Sequence, residues 1–319
     1  MLSTPLCDLL GVQYPIVQGG MAWIATAELA SAVSNAGGFG VVAAGNAPPD
    51  WVQREIRRTR EMTDRPFGLN IMLMSPFARE VVEVALSEEV SAVMTGAGNP
   101  AGLIPLFKAK GIRVVPVVAS VALARRLERA GADAVIAEGT ESGGHIGDLT
   151  TMVLVPQVVD AVKIPVIAAG GCADGRGLVA ALALGAKGVQ MGTRFACCTE
   201  CIAHPNYKAR IVRSKDRCTV TSGHTLGHPA RALENAFTRR FQELERQGCA
   251  PAEIEVFGIG ALRRGLIEGD VENGSLMAGQ IAGMIRDIRP AAEIIESTVC
   301  EAEVLLDQLA CLNRRMSHA

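Results

Sequence analysis

The chain of 319 residues is 49% hydrophobic and 20% charged, with a formal net charge of −2, and this length allows one large domain or two ordinary ones. The near-zero charge and an aromatic content of only 4% argue against nucleic acid as a partner, which needs basic patches and stacking aromatics. The apolar runs are shorter than the roughly 18 residues of a membrane span and the N-terminus lacks the pattern of a secretory signal, so a cytoplasmic protein without a membrane partner is expected.

Short apolar runs recur along the first 195 residues, and each is followed by a segment with helix-like spacing. The runs are continuously apolar and end in glycine or a polar residue, as parallel strands covered on both faces do. In chain order the predicted strands are Ile16–Gln18, Phe39–Ala44, Pro66–Leu73, Ala92–Thr95, Arg113–Val118, Ala134–Ala137, Pro165–Ala169 and Gly188–Met191.

This alternation predicts an α/β fold, the (β/α)₈ TIM barrel. A doubly wound open sheet is the alternative, but its glycine fingerprint follows the first strand, whereas here glycines follow nearly every strand. Residues 1–195 are therefore predicted to form the barrel core. Residues 196–319 are more polar and contain no further apolar run, so they are predicted to be a mostly helical C-terminal appendage that packs on the barrel mouth.

The nine cysteines are scattered and odd in number. They predict buried thiols in a reducing compartment and not a disulfide framework. Cys198 and Cys201 form a lone Cys-x-x-Cys with His204 nearby, which falls short of the four ligands that a structural zinc ion needs. No metal site is predicted.

The loop after the sixth predicted strand, Glu138 to Thr150, is dense in glycine and polar residues. His145 lies in it directly after Gly143 and Gly144, where a ligand can approach the backbone closely. The carboxyl ends of barrel strands carry the active site, so His145 is the predicted catalytic residue. A glycine-rich surface turn with an incidental histidine is the alternative, because short motifs are weak evidence.

Glycines mark the ends of the last two predicted strands. Backbone N–H groups at Gly170–Gly171 and Gly192–Thr193, together with the helix that begins near Asp174, predict a phosphate site without a basic side chain. Two tight turns that serve only packing are the alternative. These two strand ends therefore favour a phosphorylated cofactor or substrate.

Two further stretches contain polar groups in unusual places. Asn70 interrupts an apolar strand, and a buried amide without partners costs about 1–3 kcal/mol, so we expect it to hydrogen-bond something polar in the barrel mouth, such as the edge of a heterocycle. Asn273–Gln280 combines small residues with an amide and a hydroxyl. Its spacing favours a helix start capped by Asn273 or Ser275, and a lid over the barrel mouth is the alternative.

Motifs spread over nearly the whole chain carry a family resemblance. They are Tyr14–Trp23, Phe67–Leu73, Thr95–Pro100, Ala137–Gly139 with Gly143–Gly147, Ile167–Gly171, Val189–Phe195, His204–Tyr207 and Gly274–Gly283. Together they resemble the FMN-dependent enoyl-acyl-carrier-protein reductase II family of bacterial fatty-acid synthesis. The wider relatives, nitronate monooxygenases, share fewer of these motifs. The chain departs from the reductase pattern mainly at Cys197–Cys201, outside the motifs.

The resemblance implies an FMN-binding barrel that uses NADH or NADPH to reduce the 2,3 double bond of an enoyl chain on acyl carrier protein. A monovalent cation often assists such enzymes, and a homodimer is expected. His145 is implied at the thioester, as proton donor or as hydrogen-bond donor to the enolate oxygen. The residues expected to bind the cofactor are Gly20, Met21, Ala22, Asn46, Asn70, Glu138, Gly143, Gly144, Gly170, Gly171, Gln190, Met191, Gly192, Thr193, Ser275, Met277 and Gln280.

Three other functions fit parts of the same pattern. A nitronate monooxygenase oxidises alkyl nitronates with oxygen, and a non-catalytic flavoprotein partner of acyl carrier protein would keep the fold without the chemistry. The third function, that of a barrel enzyme similar to inosinate dehydrogenase, needs a cysteine nucleophile. Cys172 stands in a strand-end loop, but it directly follows the glycine pair and has no partner base nearby in the sequence.

Overall fold

Eight parallel strands form a nearly closed barrel in the computed structural model, which describes residues 2–316. Each barrel strand overlaps a predicted apolar run, so the (β/α)₈ fold is confirmed. In chain order the strands are β1 (Ile16–Gln18), β2 (Gly40–Ala43), β3 (Phe67–Met72), β4 (Ala92–Gly96), β5 (Arg113–Val118), β6 (Val135–Glu138), β7 (Gly144–His145), β8 (Val166–Ala169), β9 (Gly188–Met191), β10 (Thr219–Ser222) and β11 (Ala230–Leu233).

The barrel consists of β1 to β6, β8 and β9, with neighbours in chain order paired in parallel and β9 paired back onto β1. A bridge between Val17 and Phe39 joins β1 to β2. The interior is filled by a cluster that includes Phe39 and Met94, and Leu6 and Leu10 of the first helix belong to it. Because this packing fills the interior, a ligand can enter only at the strand ends, as in other barrels of this kind.

Helices surround the barrel and bury one face each. On α6, Ala124 and Leu127 are buried whereas Arg125 and Arg126 are exposed, which is the pattern of an amphipathic surface helix. No helix within residues 2–316 has the length and apolarity needed to cross a bilayer. The helices are α1 (Pro5–Leu10), α2 (Ala27–Asn35), α3 (Pro49–Met62), α4 (Ala78–Glu88), α5 (Ile104–Ala109), α6 (Val121–Arg129), α7 (Thr151–Ala161), α8 (Gly175–Ala183), α9 (Thr193–Ala196), α10 (Pro205–Val212), α11 (Ala236–Arg246), α12 (Pro251–Gly258), α13 (Ala261–Leu266) and α14 (Ala291–Met316).

The C-terminal region contains strands that the sequence did not predict. β10 and β11 run antiparallel, and β11 pairs in turn with β7, with Ala230 opposite His145. All four residues of β10 are half-buried, so no continuous apolar run marks this strand. The prediction, which looked for a further apolar run and found none, therefore missed these two strands, while the domain boundary at residue 195 stays a prediction.

The helices of the C-terminal region lie in two places. α14 packs against α8 and α2 on the outside of the barrel. In contrast, α11, α12 and α13 contribute side chains to the cavity at the barrel mouth. We call residues 219–266, which comprise β10, β11 and α11 to α13, the cap.

The segment Asn273–Gln280 does not begin a helix at either predicted cap. A 3-10 helix begins only at Gln280 (Gln280–Met284), with Gly279 at its cap. Asn273 instead donates its side-chain amide to Asp270. Gly274 packs backbone against backbone, because a Cβ there would lie 2.3 Å from the Cα of Gly265.

Candidate active site

A cavity of about 900 Å³ lies at the carboxyl ends of the barrel strands. This volume is near the upper end of the 300–1,000 Å³ that is typical of small-molecule sites, so there is room for a cofactor and a substrate. The predicted residues that line it are Gly20, Met21, Ala22, Asn46, Asn70, Glu138, Gly143, Gly144, His145, Gly170, Gly171, Gln190, Met191, Gly192, Thr193, Ser275 and Met277.

Gln280 lies apart from the other predicted residues and is not among those that line the cavity within residues 2–316. It is exposed, and its backbone N–H donates to the carbonyl of Glu141 at 2.9 Å. The structure thus places Gln280 where it fixes the glycine-rich loop. The side chain of Gln280 does not line the cavity.

Three polar side chains form the floor of the cavity. Asn70, Glu138 and Gln190 come from β3, β6 and β9, and all three are half-buried. None of the three side chains has a hydrogen-bond partner within residues 2–316. Partly buried polar groups without partners lower stability unless a ligand or water completes them. This floor is therefore suited to the polar edge of a heterocycle, as expected for Asn70.

Glu138 differs from an ordinary surface carboxylate. Because burial disfavours its charged form, its pKa is raised from 4.5 to about 8. The carboxyl group is therefore mostly protonated at neutral pH. It can then donate a hydrogen bond to a ligand as well as accept one.

Glycines bring the backbone close to the floor. A Cβ at Gly20 would lie 2.4 Å from the Cβ of Asn70, so any side chain there displaces the amide. At Gly171 and Gly192 the nearest atoms to an added Cβ are 3.8 Å away, an ordinary van der Waals distance, so the backbone there is uncrowded. Such open backbone is what a phosphate approaches in the loops after the last two strands of a barrel. These residues fit the phosphate and ring of FMN.

The helix N-terminus expected to help bind phosphate is already occupied. Asp174 accepts a hydrogen bond from the backbone N–H of Arg176 at 3.0 Å. Glu301 of α14 accepts one from the N–H of Gly175 at 3.1 Å. Two N–H groups at the start of α8 are thus already paired with carboxylates, and the expected phosphate contact at this helix end stays a prediction. The backbone at Gly171 and Gly192 is then the part of this site that suits an anion.

His145 is held in place by the C-terminal sheet. It lies on β7 opposite Ala230, and the N–H of the next residue, Ile146, donates to the carbonyl of Pro229 at 3.0 Å. Arg231, which is 7% exposed, donates to the carbonyl of Thr140 at 2.9 Å. These bonds convert a glycine-rich loop into a fixed strand, so the imidazole has a defined place at the cavity wall.

A second histidine faces His145 across the cavity wall. The ring centroids of His145 and His228 are 5.8 Å apart and the rings stand nearly perpendicular, at 79°. Burial and the neighbouring His228 both lower the pKa of His145. His145 is thus neutral at pH 7 and keeps one N–H that can donate. His228 was missed because its place depends on the pairing of β7 with β11, which no local motif announces.

The remaining predicted alternatives lose support at this site. Cys172 lines the cavity, but burial raises the pKa of its thiol to about 12, so it is not the thiolate that a cysteine nucleophile needs. Cys198 and Cys201 are free and buried, and residues 2–316 contain no group of three or more His, Cys, Asp or Glu side chains that could hold a metal ion.

The upper wall of the cavity is apolar and comes from the cap. Leu226, Phe237, Phe241 and Ile254 line it. Phe237 stacks on Phe257, with centroids 5.1 Å apart and an angle of 8° between the rings. Sequence reasoning missed these residues, although Phe237 and Phe241 stand one helical turn apart in a chain that has only eight phenylalanines.

Comparison with known proteins agrees with this geometry. The sequence model of the nitronate monooxygenase family matches residues 3–81 and 76–301. The structure of FabK from Thermotoga maritima is similar with a TM-score of 0.96 and 51% identity, over 98% of this chain and 100% of that one. Two further proteins are each 34% identical over nearly their full length.

The first of these is (3aS,4S,5R,7aS)-5-hydroxy-7a-methyl-1-oxo-octahydro-1H-indene-4-carboxyl-CoA dehydrogenase from Mycobacterium tuberculosis, matched over 98% of this chain and 99% of its own. The second is a probable nitronate monooxygenase from Staphylococcus saprophyticus, matched over 96% of this chain and 99% of its own. The similar proteins thus include more than one named activity.

Proposed function

The chain belongs to the nitronate monooxygenase family, and within this family of flavin-dependent oxidoreductases we propose that it is an enoyl-thioester reductase. The proposed reaction is the FMN-dependent, NAD(P)H-linked reduction of the 2,3 double bond of an enoyl chain on acyl carrier protein. The 51% identity to FabK, an enoyl-acyl-carrier-protein reductase II, supports this activity over the others. The relative from Mycobacterium tuberculosis, named for a carboxyl-CoA compound, supports a thioester substrate.

The observation that carries the proposal is the position of His145. A neutral imidazole stands on a fixed strand beside a cavity whose floor is polar and whose upper wall is apolar. A thioester needs this arrangement: a hydrogen-bond donor for its carbonyl oxygen and an apolar place for its chain. A small nitronate anion has no use for the apolar wall.

The floor of the cavity fits the cofactor. FMN, when bound, would supply the hydride chemistry between the nicotinamide and the enoyl thioester. Gly20 would admit the ring beside Asn70, and the protonated Glu138 would donate a hydrogen bond to a ring or ribityl oxygen. Backbone at Gly171 and Gly192 would hold the phosphate.

His145 would act on the thioester carbonyl. As hydride adds to the β-carbon, negative charge develops on that oxygen, and an N–H placed in advance stabilises it. The lowered pKa of His145 favours this donor role for the neutral ring over the transfer of a proton from an imidazolium. Of the two roles left open for this residue, we therefore propose hydrogen-bond donation.

Steady-state turnover tests the proposal. With FMN bound and oxygen removed, the protein should oxidise more than one equivalent of NADH or NADPH per flavin only when a crotonyl thioester is added. The second candidate, nitronate monooxygenase, is favoured by the family match and by the relative from Staphylococcus saprophyticus. It predicts oxygen uptake with an alkyl nitronate and no thioester-dependent oxidation of NAD(P)H, and that result would replace the proposal.

The partners are proposals of the same kind. We propose that the substrate arrives on acyl carrier protein, that the enzyme is a cytoplasmic homodimer and that a monovalent cation assists it. A higher kcat/KM for the carrier-bound chain than for the same chain on coenzyme A would support acyl carrier protein as the partner. Sedimentation equilibrium tests the dimer, and turnover with and without potassium or ammonium tests the cation.

A further inference from the structure

The cavity extends from the barrel mouth into an apolar chamber inside the cap. Its walls are Leu226, Phe237, Phe241 and Ile254. The four side chains belong to one hydrophobic cluster, which is separate from both clusters of the barrel. The chamber is therefore a feature of the cap and not an extension of the barrel core.

The four side chains that wall the chamber are hydrocarbon and can neither donate nor accept a hydrogen bond. The polar side chains that the cap brings to the cavity are separate from these walls: Ser222 lies at the end of β10, Glu255 is exposed, and Arg263 pairs with Glu268 at 2.7 Å, with both side chains 53% exposed. His228 lies at the other end, beside His145. The part of a ligand that enters the chamber must therefore be apolar, and its polar part must lie at the two histidines.

The chamber would be costly if it served only to pack the cap. Phe237 and Phe241 are 7% and 9% exposed, yet both line the cavity and leave a void beside their rings. A void lined by apolar groups loses the dispersion contacts that a filled core gains. An apolar ligand restores those contacts, which explains why the cap keeps the space.

We propose that this chamber binds the acyl chain of the enoyl thioester and that Phe241 limits the chain length. The inference rests on the proposed function, since it assigns the tail of the same substrate whose thioester meets His145. A linear chain suits the site because its polar end and apolar tail match the two ends of the cavity. A fused-ring acyl group, as in the name of the relative from Mycobacterium tuberculosis, is the occupant that the test distinguishes.

A chain-length series tests the chamber. Using 2-enoyl N-acetylcysteamine thioesters of 4 to 12 carbons, kcat/KM should rise about fourfold per added methylene while the chain still enters the chamber, and then level off. A flat profile would overturn the proposal. So would a cyclohexenyl or bicyclic thioester that is reduced better than every linear one.

Variants at one wall make the test specific. Phe241→Trp narrows the chamber and should lower the ratio of kcat/KM for the 10-carbon over the 4-carbon thioester by about tenfold. Phe241→Leu widens it and should move the plateau to longer chains. Leu244→Phe is the matched control, because Leu244 packs on the same cluster without lining the cavity, and it should leave the ratio unchanged. An equal change in all three variants would mean that the cap is merely disturbed.

Calorimetry separates this inference from the proposed reaction. Saturated butanoyl and dodecanoyl thioesters are titrated into the FMN-loaded protein and the Phe241 variants. Tighter binding of the longer chain, weakened by Phe241→Trp, supports the chamber even if no thioester is reduced, which would overturn the reaction alone. Equal binding of both chains overturns the chamber, whatever the turnover.

Discussion

The floor and the upper wall of the cavity differ in chemistry and in origin. The floor comes from the barrel strands and consists of glycine backbone and the side chains of Asn70, Glu138 and Gln190. The upper wall comes from the cap and is made mostly of aromatic and aliphatic side chains such as Phe237 and Ile254. His145 lies where the two meet, on a strand of the barrel loop that pairs with a strand of the cap.

This difference suggests a division of work. A polar floor built from strand ends suits a cofactor that related enzymes with different activities share, whereas the cap presents the surface that a particular substrate meets. The similar proteins carry several activity names over nearly the full chain length. On this account the cap and the junction at His145 decide which reaction a shared barrel performs, and changes in the two regions should have separable effects.

The largest effect is expected at the junction. His145→Ala removes the donor to the thioester oxygen and should lower turnover by about 100-fold or more, while the flavin stays bound because the floor is intact. Turnover and the flavin absorbance of the purified variant are measured together. His224→Ala is the control, since His224 contacts Thr221 at 3.1 Å and does not line the cavity. Near-normal turnover in His145→Ala would contradict its role.

A change in the floor should act on the cofactor. Gly20→Ala places a Cβ within 2.4 Å of Asn70, and overpacking of this kind costs about 1–3 kcal/mol. FMN should therefore bind roughly 10- to 100-fold more weakly, as measured by fluorescence titration. At Gly102 an added Cβ meets no atom within 4 Å, so Gly102→Ala should bind FMN normally. Equal affinity in both variants would remove Gly20 from the cofactor site.

The pH dependence tests the state of His145. If the neutral ring is the active form, kcat falls as the pH drops through the lowered pKa of His145 and stays level above it. His228→Gln removes the neighbouring charge that helps to lower this pKa, so the acid limb should move to higher pH. The check is kcat measured from pH 5 to pH 8 in both proteins, with a larger loss in His228→Gln than in wild type at the acid end. A kcat that instead falls as the pH rises through this pKa would mean that the protonated ring is the active form.

The smallest effect is expected on the stability of the protein, through Glu138 in the floor of the cavity. The pKa of Glu138 is about 8 in the folded chain against an ordinary 4.5, so the folded protein holds a proton that the unfolded chain has lost between these values. Stability therefore falls as the pH rises through this window. Glu138→Gln does not lose stability in this way. Between pH 5 and pH 9 its free energy of unfolding should therefore rise by about 1 kcal/mol relative to that of the wild type, because water in the cavity screens part of the penalty. Thermal unfolding of the FMN-free proteins measures it, and a constant difference would contradict the raised pKa.

The barrel was predictable because its signals are local. Each parallel strand is a short apolar run that ends at glycine or a polar residue, and Asn70 and His145 stand out against such surroundings. The cap was not predictable in this way. β10 is half-buried throughout, so no apolar run marks it, and the meeting of His228 with His145 depends on antiparallel pairing between distant parts of the chain.

The same reason explains what the sequence did not show near the predicted phosphate site. The glycine turns were identified from local sequence, and they do line the cavity. The carboxylate that occupies the start of α8 comes from Glu301, on a helix far along the chain. Contacts of this range are set by tertiary packing, which single-sequence patterns do not encode.

One anaerobic titration tests the central claim most directly. The FMN-loaded protein should be yellow, lose its flavin absorbance on addition of NADH or NADPH, and recover it on addition of an enoyl thioester without oxygen. Recovery should be about 100-fold slower or more in His145→Ala. A flavin that is bleached by an alkyl nitronate and recovers only with oxygen would contradict the account and assign the cavity to nitronate oxidation.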